Sequence, residues 1–282
     1  MSARAGSETR ATIWSFNGSE ATRRSDHLAT EEPLEIRLVA GSQRRTLAVT
    51  MRTPGSDFEL VAGFLLAEGL VDDRAGIRRL SYCVDRAMDE DQRFNVVNAE
   101  LVAPELPDLG SAARQFVTSS ACGVCGKASL ESLHVSGCQP VAAGPTVTRD
   151  VVLSLPDKLR GAQRLFSSTG GLHGAALFDT RGNPMVVRED VGRHNAMDKA
   201  IGWALLQGVI PLRDSIALVS GRVSFEIVQK CLVAGVPIVC AVSAPSSLAV
   251  ALAAEFGITL IGFLRADRFN VYSAPERVSA PA

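Results

Sequence analysis

No stretch of this 282-residue chain reaches the roughly 18–20 consecutive apolar residues that a membrane-crossing helix needs. The first thirty residues, rich in Ser, Thr and Arg, lack the apolar segment of a secretory signal. The acids Glu8, Glu20 and Asp26 argue against a mitochondrial presequence. Net charge is missing too: 29 basic against 30 acidic residues leave −1, so no global field gathers nucleic acid or an anionic membrane, and any anion site must be local. There is no G-x-G-x-x-G and no Walker A pattern, which withdraws support from an ordinary dinucleotide or nucleoside triphosphate site. These absences lead to the expectation of a cytoplasmic protein without membrane or nucleic-acid business, with residues 1–30 as a mobile tail.

Cysteine is sparse, at 83, 122, 125, 138, 231 and 240, and structural disulfides are not expected in such a chain. Cys231 sits in the helical run FEIVQKCLVAG and Cys240 in the strand VPIVCAVS, where both read as small core residues. The pair Cys122 and Cys125 in TSSACGVCGKASL is different. A structural zinc site wants four ligands. Beyond this one pair, only Cys138 and His134 could be enlisted, at loose spacing. A thioredoxin-type motif should follow a strand and open a helix, whereas this pair follows a proline-containing connector. A reactive thiol is the third reading. Gly123 and Gly126 expose backbone N–H groups, Lys127 is cationic, and a short helix from Ala128 would lower a thiol pKa. Cys122 is then the first nucleophile and Cys125 the second sulfur.

Two kinds of pattern occur along the chain. In residues 33–52, Leu34, Ile36 and Leu38 are answered by Leu47, Val49 and Met51 across a Gly-Ser turn, a hairpin. A helix follows with Ser56 and Glu59 as a capping box, an apolar face of Leu60, Val61, Phe64 and Leu65, and a stop at Gly69. Weaker strands near 79–84 and 94–102 complete a small α+β domain over 31–117. A segment carrying the cysteine pair spans 118–155. From 156 to 282, strand runs with little alternation are separated by helices, in the order α-β-β-α-β-α-β-α-β. The fold class is α/β, a sheet covered on both faces.

Ligands of open α/β sheets lie beyond the carboxyl ends of the parallel strands. Those ends carry REDVGRHNAMDK, SGRVSFE, SAPSS and FLRADRFN. They supply Arg188, Arg193, Arg222, Arg265 and Arg268, Gly192 and Gly221 before helix starts, and the hydroxyls of Ser243, Ser246 and Ser247. Arginine forks with helix N-termini make a site for phosphate or another anion. His173 and His194 stand at the same rim. His194 is four residues before Asp198 and would share its helix face, and a structural hydrogen bond is as good a reading as catalysis for either histidine.

The blocks CGVCGK, TGGLHGAALFD, VVREDVGRHNAMDKAIG, SGRVSFEIVQK and IGFLRADRFNVYS, with EEPLEIR and AVTMRTPGSDFELVAGFLLAEGL upstream, closely resemble the formate dehydrogenase accessory sulfurtransferase family, FdhD, from about residue 30 onward. The resemblance implies a persulfide loaded on Cys122, with Cys125 assisting, by a cysteine desulfurase. It implies transfer of that sulfur to a molybdenum bis-molybdopterin guanine dinucleotide held as cargo, before insertion into formate dehydrogenase. A cofactor-delivering chaperone that carries no sulfur is the alternative. Phe263, Leu264, Arg265, Ala266, Asp267 and Arg268 match the family's cofactor-contact stretch. The resemblance also implies a cytidine-deaminase-like core. The helix starts DVGRHN and SGRVSF lack the deaminase zinc ligands, and the cysteine pair precedes the sheet, so no zinc and no deamination are expected. A homodimer is expected from the apolar helices.

Overall fold

The computed structural model describes residues 6–84, 90–107, 139–141 and 144–279. The segment expected as a tail is a hairpin, β1 (Glu8–Asn17) with β2 (Glu20–Ala29). Its alternation of Ala11, Ile13 and Ser15 with Thr12, Trp14 and Phe16 is a strand pattern diluted by charge.

Two larger sheets carry the fold. The N-terminal one is built from β3 (Glu32–Ala40), β4 (Gln43–Arg52), β5 (Ile77–Tyr82) and β6 (Val96–Leu101), in the order β4–β3–β6–β5. The hairpin β3–β4 forms as the alternation predicts, with Leu34, Ile36 and Leu38 fully buried. Its second strand departs from the expected register. Ile36 pairs with Ala48 and Arg37 with Thr46, so Leu47 is an extra residue in a bulge. A one-residue insertion exchanges the two faces: Ala48 and Arg52 turn inward, and Val49, expected in the core, is 37% exposed.

Helix α1 (Asp57–Ala67) crosses this sheet and ends at Gly69, whose φ of 67° closes the turn. The expected capping box does not form. Ser56 is left-handed at φ 54° and makes no side-chain cap bond. The anionic first turn is organised by Asp57, which forks with Arg52 at 3.3 Å and accepts from the Gly55 N–H and the Tyr82 hydroxyl. Glu59 points elsewhere.

The short turn α2 (Glu90–Arg93) precedes the C-terminal unit. Its short first strand β7 (Val147–Thr148) is paired in parallel by β14 (Val278–Ser279) from the other end of the unit. Helix α3 (Arg149–Ala162) is capped by Thr148, whose hydroxyl accepts the Val151 N–H, and Pro156 lies inside it. A further short helix, α4 (Arg164–Thr169), follows. Its Ser168 donates to Glu8, which also bonds His27, and so anchors the first hairpin.

The C-terminal sheet is built from β8 (His173–Asp179), β9 (Pro184–Asp190), β10 (Ser215–Val219), β11 (Ile238–Ala241), β12 (Thr259–Gly262) and β13 (Asn270–Ser273). The order is β13–β12–β11–β10–β8–β9. Strands β10, β11 and β12 are parallel, β8 runs against both β10 and β9, and β13 runs against β12. The uninterrupted apolar runs match strands with every residue buried, as in β10, β11 and β12. Helix α3 covers one face, where Val152, Leu155 and Leu159 pack on Phe178, Leu218, Cys240 and Ile261. The other face takes α5 (Arg193–Leu206), α6 (Phe225–Val233) and α7 (Ser247–Glu255). The architecture is mixed α/β, with helices on both faces of the larger sheet.

The two sheets share one core. Ile36 of the smaller sheet, with Leu60 and Leu65 of α1, belongs to the same apolar cluster as Met197, Ala200, Ile201 and Leu205 of α5. A buried polar seam runs alongside. Asp190, fully buried, pairs with Lys199 at 2.7 Å and accepts the N–H groups of Thr53 and Gly192 at 3.1 and 2.9 Å. Asn195 donates to the Met51 carbonyl at 2.7 Å, and Lys199 to that of Thr53 at 2.9 Å.

Candidate functional site

The carboxyl ends of β9, β10, β11 and β12 come together with the start of the antiparallel strand β8, so Asp190, Val219, Ala241, Gly262 and His173 mark one rim. Two helices begin there without a side-chain cap bond. Gly192 precedes α5 and Ser224 precedes α6. Uncapped helix starts present backbone N–H groups and the positive end of the helix dipole.

The Ser224 hydroxyl is withheld from its own helix because it lies 3.0 Å from His194 Nε2. Such a cap is ordinarily worth about 1 kcal/mol. Glu226 Oε2 is also 3.0 Å from that nitrogen, both side chains being under one-fifth exposed. The hydrogen bond from His194 holds the Glu226 carboxyl below its usual range, against the opposing effect of burial. His194 and Asp198 lie four residues apart in α5, as the spacing predicts, but their side chains take different partners. Asp198 instead receives two bonds from Lys230, at 2.7 and 2.9 Å, and burial pushes its carboxyl up to about 6.

His173 stands across Gly221, and a methyl group there would come within 3.3 Å of its ring. Burial, Arg193 and His194, in that order, depress the His173 pKa, so it stays neutral under ordinary conditions. Arg193 has its Nε buried and without a hydrogen-bond partner among the described residues. A guanidinium N–H with no partner beside two helix starts is a donor set waiting for an anion. Arg222 is exposed on the adjoining turn.

The stretch 263–268 forms the far wall. Phe263 has a φ of 51°, rare for an aromatic residue, and its ring is 41% exposed. Two backbone bonds hold it: its own N–H donates to the Ser243 carbonyl and that of Leu264 to the Ala241 carbonyl. Arg265 is exposed, with Nη1 on the Val242 carbonyl at 2.6 Å, and its N–H closes a turn on the Arg268 carbonyl. Ala266 and Asp267 are exposed, as is Arg268. The Leu264 side chain is fully buried in the core under α3.

Arg188 is paired within the protein. It forks onto Glu59 of α1 at 2.5 and 2.7 Å, tying β9 to the N-terminal unit. The residues that the structure brings together are thus His173, Arg193, His194, Gly221 and Arg222, with Ser224 and Glu226, which the sequence pattern did not single out. An acid in the first turn of a crevice helix, in SGRVSFE, was the available signal. Cys122 and Cys125 lie outside the described residues, as do Cys138 and His134. Cys231 and Cys240 are fully buried, and burial pushes the Cys231 thiol up to about 12 and that of Cys240 higher still, so both are inert core residues.

A mixed sheet with helices on both faces and arginines at its strand ends defines a mixed α/β protein. The family model described as FdhD/NarQ matches residues 29–279, and the chain belongs to that family. It is 50% identical over 275 residues to the sulfur carrier protein FdhD of Mycolicibacterium paratuberculosis, covering 96% of this chain and 98% of the relative. Against the sulfur carrier protein FdhD of Streptomyces coelicolor the identity is 48% over 279 residues, with 98% and 96% covered. Among solved structures, a formate dehydrogenase accessory protein from Desulfotalea psychrophila superposes with a TM-score of 0.74 at 26% identity, covering 96% of this chain and 99% of its own.

Proposed function

We propose that this protein is a sulfur carrier in formate dehydrogenase maturation. The observation that carries the reading is likeness at about half identity, over nearly the whole of both chains, to proteins named sulfur carriers. In this reading Cys122 accepts sulfane sulfur from a cysteine desulfurase as a persulfide, with Cys125 assisting, and the sulfur passes to a molybdenum bis-molybdopterin guanine dinucleotide as substrate. The crevice chemistry supports an anionic substrate. Arg193 offers an Nε without a partner among the described residues, Gly192 and Gly221 open backbone to close approach, Arg222 and Arg265 add charge, and the exposed Phe263 offers a flat heterocycle a stacking surface. The strand order, with a β8–β9 hairpin at one side of three parallel strands, supports a cytidine-deaminase-like core.

The test is the intact mass of the protein after exposure to cysteine and a cysteine desulfurase. Sulfur adducts that reductant removes and that Cys122→Ala abolishes are the expected result. Cofactor binding without any sulfur uptake would instead make the protein a delivery chaperone.

A further inference from the structure

We propose that His194 is the general base of the crevice, accepting the proton of a sulfhydryl group that enters it, that Glu226 is the positioning residue that sets its tautomer, and that Ser224 helps hold the ring in place. This rests on the sulfur-carrier reading above. The step is a single proton transfer. The S–H bond breaks with its electron pair left on sulfur, an N–H bond forms at Nδ1, and the imidazolium charge is balanced by Glu226.

The geometry assigns the roles. The Glu226 carboxylate at 3.0 Å from Nε2 requires that nitrogen to carry the hydrogen, since a carboxylate only accepts. The neutral ring therefore has its lone pair at Nδ1, which makes no hydrogen bond with any described residue. The Ser224 hydroxyl bonds the same Nε2 rather than its own helix start. Serine at an N-cap ordinarily bonds the backbone of its helix, so the local rule is broken in favour of holding this ring. His194 lies in the first turn of α5, next to Arg193, whose Nε has no hydrogen-bond partner among the described residues, and an anionic sulfur would be held there. His173 is unsuited to the task, because burial and Arg193 disfavour its protonated form.

The charged groups sharing these surroundings are Arg193 and Asp198 of α5, Glu226 and Lys230 of α6, His173 of β8 and Asp190 of β9. Glu68 of α1 acts on the Asp198–Lys230 pair from behind. Lys230 is committed to Asp198 and Asp190 to Lys199, which leaves Glu226 as the counter-ion of His194.

The experiment follows sulfide release to dithiothreitol from protein loaded with sulfur by a cysteine desulfurase, between pH 5.5 and 9. At neutral pH the wild-type rate is expected to exceed what the ionisation of dithiothreitol alone would give. His194→Gln, which keeps an N–H on Glu226, should load sulfur equally but release it about 100-fold more slowly at neutral pH. Its rate should climb only with the ionisation of dithiothreitol itself. Glu226→Gln, whose amide no longer obliges Nε2 to carry the hydrogen, should load sulfur equally but release it several-fold more slowly at neutral pH.

A His194→Gln protein that loads and releases sulfur with the wild-type rate and profile overturns the proposal and leaves the carrier reading standing. If His194→Gln fails to fold, Glu226→Gln decides, and a wild-type release rate from that variant overturns the proposal. Wild-type protein that takes up no sulfur overturns both.

Discussion

Gly202 of α5 faces Gly63 of α1 so closely that a methyl group on Gly202 would lie 2.6 Å from the Gly63 nitrogen and closer still to the Glu59 carbonyl oxygen. The obstacle is backbone, not a yielding side chain, so the crossing has no local way to relax. Gly202→Ala is therefore expected to destabilise by roughly 3 kcal/mol, the upper part of the usual overpacking range, or more. Because Glu59 sits at the crossing, the same change should loosen its fork with Arg188. Denaturant unfolding of Gly202→Ala beside Gly208→Ala, where nothing lies within 4 Å, checks this. Gly208 has a positive φ of 70°, so its substitution carries only the backbone cost.

Arg52 is 1% exposed and distributes its guanidinium over Asp57, Glu32, Asn95 and the Phe94 carbonyl. Arg52→Met leaves the Asp57 carboxylate buried without its counter-ion. A loss of roughly 3–5 kcal/mol follows. Replacing Asp57 by Asn in the same protein should recover part of it, and equilibrium unfolding of the two single variants and the double variant measures how much.

Phe263 separates backbone strain from ring chemistry. Phe263→Gly removes a left-handed aromatic residue, a strain of about 1 kcal/mol or more. The variant should melt at or above the wild-type temperature, apart from the modest burial lost. Its affinity for guanosine diphosphate, a fragment of the proposed substrate, should fall by about tenfold as the stacking surface disappears. A melt and a calorimetric titration give the two answers separately.

His173 gives the stability a pH dependence. Its folded pKa lies below the ordinary 6.5, so between the two values the unfolded chain binds more protons than the folded one. Stability from this group is present above 6.5 and is lost as the pH falls through the window beneath it. His173→Gln should flatten the stability profile there, as read by urea midpoints at about pH 5.5 and about pH 7.5.

Much of the larger sheet is legible in the residues. Runs such as SIALV and PIVCAV read directly as strands buried on both faces, and the intervening apolar faces as helices. The β3–β4 hairpin and the end of α1 at Gly69 are equally direct. What escapes the sequence is long-range or compensated. The bulge at Leu47 has no local signature, so the side on which Val49 falls cannot be read from alternation. A capping box and an ion pair both want a glutamate at position 59, and the pair with Arg188, 129 residues away, wins. The strand content of residues 8–29 is masked by Glu8, Arg10, Glu20, Arg23, Arg24 and Asp26. At the crevice the arginines are visible in sequence, but which of them is committed to structure is not. The partnership of His194 with Glu226 spans 32 positions and follows only from α5 and α6 lying side by side.

The shared core and the Asp190–Lys199–Thr53 seam have a consequence for how this chain can be divided. A fragment beginning near residue 145 would expose the α1-facing side of α5, strand Arg188 without Glu59, and leave Lys199 without its Thr53 contact. Neither half is a transferable module, so gene fusions and truncations must treat the pair of sheets as one indivisible unit of inheritance.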